Sequence, residues 1–274
     1  MLGKLIKYEI KATKRIMIPA ILALICVSVF NGVLVGISSN NILEDSFVYN
    51  VFSAIGGSVY MLGIMAILIL AAVLSIIRFY KADLSNEGYL THTLPINIGK
   101  EILSKVIVGT LWVILTGVAI IISVLCLVMF SSIFDFASLD INDVINIKRA
   151  FTIYGGDIAK VLLIMFYLLL IIILGCSNKI LAVYSAMAVG FSFNKNKILL
   201  SFVSYIAISV LTTILTIILG VIFVSPLYNF LNNTLSPIAM AHLVFVGLIA
   251  FLLILNIIYF FIVKFFFERK LNLE

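Results

Sequence analysis

The chain has 274 residues, of which 64% are hydrophobic and only 11% charged, with a mean hydropathy of +1.29 and a net charge of +6. A water-soluble domain carries roughly 25% charged residues to coat its surface, and this chain has less than half of that. Composition therefore excludes an ordinary soluble domain and predicts an all-α, polytopic membrane protein, because several uncharged runs are long enough to cross a bilayer.

The chain opens with MLGKLIKYEIKATKR, which holds too many charges for a cleavable signal; the apolar run behind it is span-length and lacks a clear cleavage site. Lys4, Lys7, Lys11 and Lys14 recur at spacings of 3, 4 and 3, lining one helical face, while Leu2, Leu5, Ile6, Ile10 and Thr13 occupy much of the rest. That periodicity predicts an interfacial helix over residues 1–15, each Lys contributing about 1 kcal/mol against anionic lipid. The plainer reading is a basic flank with no helix.

Span 1 follows at about 16–38 and contains Gly32-x-x-x-Gly36, whose small residues allow close helix approach either within one chain or between two. Span 2, about 51–77, gives way to RFYKADLSNEGYLTHTLPINIGK, Arg78 to Lys100. Asp83, Ser85 and Asn86 form turns or caps, Gly88 and Pro95 punctuate, and Tyr89, Leu90 and Leu94 are apolar groups that a bare loop would expose. Two readings stand: a segment that docks in a groove on another protein, or a hairpin tucked among lipid headgroups.

Span 3 covers about 106–134, followed by a loop over 135–157. Within it DINDVINIKRAF, N-capped by Asp140, fits either a short amphipathic helix or a simple connection. The fourth crossing lies between Asp157 and Lys195 and is interrupted by Gly175-Cys176-Ser177-Asn178-Lys179. About 35 residues at 1.5 Å each give roughly 50 Å, so one crossing with a long extension is expected, Gly175 being the place for a kink. Span 5, about 198–224, carries Thr212, Thr216 and Gly220 on one stripe, and span 6 covers about 238–263.

Charge orients the six spans. Fifteen of the 18 Lys and Arg residues fall at the start of the chain, between spans 2 and 3, between spans 4 and 5, or after span 6. The other side keeps Lys148, Arg149 and Lys160, diluted by six carboxylates from Glu44 to Asp157. By the positive-inside rule both termini and residues 81–104 are cytosolic. The excess positive charge reflects this sidedness and implies no nucleic acid.

Catalytic patterns are missing from the sequence. His92 and His242 are expected on opposite sides of the membrane, and there is no HExxH, no G-x-S-x-G and no carboxylate pair on a span. Cys26, Cys126 and Cys176 stand in separate apolar runs, suggesting neither a disulfide framework nor a metal site. The clear spans also lack the midplane ionisable groups that ion-coupled carriers need. Gly99-Lys100 lacks the preceding glycine of a P-loop, so no ATP hydrolysis is expected from this chain.

The pattern R-F-Y-K-x-x-x-x-x-E-G-Y-L-x-x-T-L-P, followed by Ser104-Lys105 leading into span 3, resembles type-2 ATP-binding-cassette permeases of Gram-positive bacteria. The N-terminal MLGKLIKYEIKATKR is similar to that family's surface-lying elbow helix. The resemblance covers the chain in span count, topology and charge, with sequence detail specific in these two segments. It implies a permease subunit of an ABC exporter in the bacterial cytoplasmic membrane, carrying a peptide, toxin or antimicrobial compound. It also implies a cytosolic ABC ATPase that binds ATP and Mg, and a second permease forming a homo- or heterodimer. Carried over, the coupling helix between spans 2 and 3 comprises Glu87, Gly88, Tyr89, Leu90, Thr93, Leu94 and Pro95; His92 departs from the bulkier apolar residue of that pattern. The alternative functions are a non-transporting sensor or anchor for an ATPase, or an intramembrane enzyme, the latter disfavoured by the missing catalytic groups.

Overall fold

In hydrocarbon no water is present to satisfy backbone N–H and C=O groups, so even runs rich in Ile and Val close their hydrogen bonds within a helix. The computed structural model describes residues 2–38, 47–84, 97–132, 158–193, 195–221 and 237–269, and among these residues there is no strand. The helices are α1 (Leu2–Ser38), α2 (Phe47–Phe79), α3 (Ile98–Ser132), α4 (Ile158–Gly190), α5 (Lys197–Leu219) and α6 (Pro237–Arg269). All six are long and apolar enough to cross a membrane. Their outer surfaces are greasy: Phe30, Leu62, Ile121, Phe166, Phe202 and Phe261 are all well exposed.

α1 runs unbroken from Leu2 to Ser38, so the Lys-bearing stretch is helical and joins span 1 directly, with Pro19 inside the helix. Pro19 has no N–H to donate to the Arg15 carbonyl, which removes one rung of the ladder. α4 is likewise a single helix of 33 residues passing straight through Gly175-Cys176-Ser177-Asn178-Lys179. Its length, about 50 Å, exceeds the roughly 30 Å hydrocarbon core, as expected for one crossing with an extension.

The chain forms two compact units. One comprises Tyr8–Leu74 and Leu111–Val161, and therefore most of α1, α2 and α3. Leu24 of α1 packs with Tyr60 and Ile67 of α2, flanked by Ile120 and Leu127 of α3. Polar groups buried there are paired: Tyr60 Oη and Ser123 Oγ lie 2.9 Å apart, and Trp112 Nε1 donates to Thr13 Oγ1 at 2.7 Å. Close approach is set by glycine. A Cβ on Gly32 would lie 2.7 Å from the Leu127 carbonyl oxygen, and one on Gly56 would lie 2.5 Å from Asn31 Oδ1.

The other unit comprises Met1–Lys7, Ser75–Thr110 and Leu162–Glu274. Here Phe79 at the end of α2 meets Tyr184 near the end of α4 and Phe267 near the end of α6, while Gly99 at the start of α3 faces Phe260 of α6. The C-terminal ends of α2, α4 and α6 thus gather with the N-terminal end of α3, the alternation expected of successive crossings. Far from that end, Tyr167 of α4 packs edge-on to His242 of α6 at 5.7 Å. Between α4 and α5 the chain reverses, and Asn196, just before α5, adopts a left-handed φ of 52°. Gly190 is obligatory at the end of α4, because a Cβ there would fall 2.4 Å from backbone atoms of Ser201.

Candidate functional site

The site is the stem on which residues 85–96 are mounted. On one side, α2 ends at Phe79 and passes into a π-helical turn, Tyr80–Leu84. Widening the turn by one residue rotates the side chains beyond it, and Asp83 and Leu84 are both buried. On the other side α3 starts with a side-chain cap: Asn97 Oδ1 accepts from the Gly99 N–H at 2.9 Å, and its carbonyl accepts from the Lys100 N–H at 2.9 Å.

Lys105, on the second turn of α3, joins the two sides. It is 4% exposed, and its ammonium donates to Oδ1 of Asp83, which is fully buried. The same ammonium donates to Glu101 Oε1 at 3.0 Å, one helical turn back. Ser104, also buried, donates to the Glu101 carbonyl at 2.7 Å. Two carboxylates thus share one ammonium in a setting shielded from water, and Asp83 Oδ2 has no partner among the described residues. Buried ion pairs add little net stability, but their geometry is strongly enforced, because losing one partner strands the other's charge. Chemically this is a clamp: it ties the last turn before residue 85 to the first turns after residue 96.

Sequence alone does not disclose the clamp, since Asp83 reads as a turn former and Lys105 as one more basic residue on the positive side. The Glu101–Lys105 spacing of four is a visible signal of a helical ion pair. The Asp83 partnership has none, because it depends on how the π-helical turn faces α3.

Of the expected site residues, Glu87, Gly88, Tyr89, Leu90, Thr93, Leu94 and Pro95 lie outside the described residues, as does His92. Lys4, Lys7, Lys11 and Lys14 are all exposed along α1, with Leu2, Leu5, Ile6 and Ile10 half-buried and Thr13 buried. Gly32 and Gly36 are buried, Gly32 against α3 of the same chain. On α5, Thr212 is half-buried and Thr216 exposed, and among the described residues a Cβ on Gly220, just past the helix, would meet nothing within 4 Å. Among the described residues no group of three His, Cys, Asp or Glu side chains could hold a metal ion, and the three cysteines are unbridged. No family model, curated protein or solved structure matches this chain.

Proposed function

We propose that the chain is the permease subunit of an ATP-driven ABC exporter in a bacterial cytoplasmic membrane, moving an amphipathic peptide, toxin or antimicrobial compound. In this reading a separate cytosolic ATPase supplies the energy, a second permease completes the pathway, and residues 87–95 dock on the ATPase. The observation that supports it is the buried Asp83–Lys105–Glu101 clamp. A segment that receives force from another protein can pass it on only if its stem resists bending, and this stem is ion-paired, capped and buried where it leaves α2 and enters α3. The six apolar helices supply the membrane domain such a segment would drive.

The test is reconstitution of the full chain in nanodiscs with each stand-alone ABC ATPase of its host. One ATPase is expected to co-elute with the chain and to hydrolyse ATP at a rate that depends on it. Glu87→Ala with Tyr89→Ala should weaken that association by about 2 kcal/mol or more, roughly 30-fold. Cells lacking the chain should also become more sensitive to amphipathic antimicrobial peptides. If no ATPase binds, the coupling reading fails; if one binds while efflux and sensitivity stay unchanged, the chain is an anchor and not an exporter.

A further inference from the structure

We infer that Phe79 is the positioning residue through which the Asp83–Lys105–Glu101 clamp is locked to α4 and α6, so that a displacement passed to the clamp reaches those two helices. This rests on the reading of residues 85–96 as the coupling segment. Phe79 is fully buried as the last residue of α2, immediately before the π-helical turn that carries Asp83. Its ring lies flat on Tyr184 of α4, centroids 3.9 Å apart and planes 7° from parallel, and contacts Phe267 of α6 at 5.6 Å. Tyr184 also grips the α2 backbone one turn earlier, its hydroxyl donating to the Ser75 carbonyl at 3.2 Å. The next residue, Tyr80, meets Phe191 just beyond α4 edge-on at 5.8 Å.

These contacts leave little slack. Tyr184, Phe79 and Val263 of α6 are each less than 2% exposed, and a Cβ on Gly109 of α3 would come within 3.0 Å of Ile180 of α4. Side chains in close contact carry strain onward. The clamp fixes the stem as one body, and the aromatic stack is where that body grips two helices, at Tyr184 and Phe267, that follow much later in the chain.

The experiment is a double-mutant cycle read by amide hydrogen exchange on the full chain in lipid nanodiscs. Lys105→Ala loosens the stem and is expected to speed exchange about tenfold or more in residues 98–108, and also in 180–190 and 259–268. In a Phe79→Leu background the increment due to Lys105→Ala should persist at 98–108 but fall below about threefold at 180–190 and 259–268. Equal increments in both backgrounds, or no increment in α4 and α6 when Phe79 is intact, would overturn the inference. If Phe79→Leu does not fold, Tyr184→Leu and Phe267→Leu are run through the same cycle. Each should sever the increment at its own helix only, and an unchanged pattern again overturns the inference. No ATPase enters this measurement, so a coupling term found in a chain that binds no ATPase would remove only the role given to residues 85–96.

Discussion

Replacing Lys105 by Met keeps a similar length of side chain and removes the ammonium that two carboxylates share. Asp83 is fully buried and the Glu101 side chain is only 13% exposed, so water offers these carboxylates little compensation. Breaking a buried pair in this way costs about 3–5 kcal/mol, two to three and a half orders of magnitude in the folding equilibrium. Removing all three charges together, as Asp83→Asn, Glu101→Gln and Lys105→Met, leaves no charge of the clamp unpaired and should recover most of that loss. Lys264→Met is the control: Lys264 and Glu268 lie 3.8 Å apart and are each more than a third exposed, a setting where ion pairs contribute about 0–1 kcal/mol. The assay is reversible SDS-induced unfolding in mixed micelles, followed by far-UV circular dichroism. A Lys105→Met loss under about 1 kcal/mol, or a triple variant as unstable as the single one, would refute the clamp.

Gly190→Ala should cost about 1–3 kcal/mol and lower the midpoint of thermal unfolding, because the new methyl would sit 2.4 Å from the Ser201 backbone. A Gly190→Ala variant as stable as the parent would show that α5 shifts freely against α4. Gly32→Leu and Gly220→Leu should part company: the first collides with Leu127 and destabilises the isolated chain, whereas a Cβ at Gly220 would meet no described residue within 4 Å, so the second should leave the thermal midpoint unchanged. A loss of crosslinked dimer with Gly220→Leu at unchanged stability would identify α5 as a face between two copies of the chain. Finally, a cysteine at position 85, with the native cysteines removed, should resist a membrane-impermeant reagent added to intact cells; labelling from outside would overturn the orientation drawn from the basic residues.

The sequence reveals the crossings far better than it reveals their contacts. α4 is legible as one helix through Gly175–Lys179 because length and hydropathy constrain a lipid-embedded backbone so tightly. The same greasiness hides which faces meet. A helix apolar on every side carries no periodic stripe, so nothing in the run around Phe79, Tyr184 or Phe267 marks those three as neighbours. Polar residues are partial exceptions. Thr13 stands on the apolar side of the Lys-lined helix, yet its partner Trp112 is 99 positions away and cannot be found by spacing. Asn97, which caps α3, is less conspicuous in the sequence than Asp83, Ser85 and Asn86, although an Asn two residues before a Gly at a helix start is a local signal. Asp83 shows the deeper limit, since a π-helical turn redirects it inward and no composition rule announces that turn.

The hydroxyl-bearing face of α5 has a consequence for what a neighbouring molecule could feel there. Thr212, Thr213 and Thr216 each spend their hydroxyl proton on a carbonyl of their own helix, those of Ile208, Ser209 and Thr212, at 2.7–2.9 Å. Thr212 also engages the Tyr259 side chain of α6, so what Thr213 and Thr216 leave outward is chiefly methyl groups and acceptor oxygens, and a row that looks polar in one-letter code has few protons to give. Anything settling against it, acyl chain or protein, would be held by fit rather than by donated protons. The tightness of that fit would depend on the smallness of Gly220 and of the threonines, so it should respond to added bulk far more than to the loss of a hydroxyl.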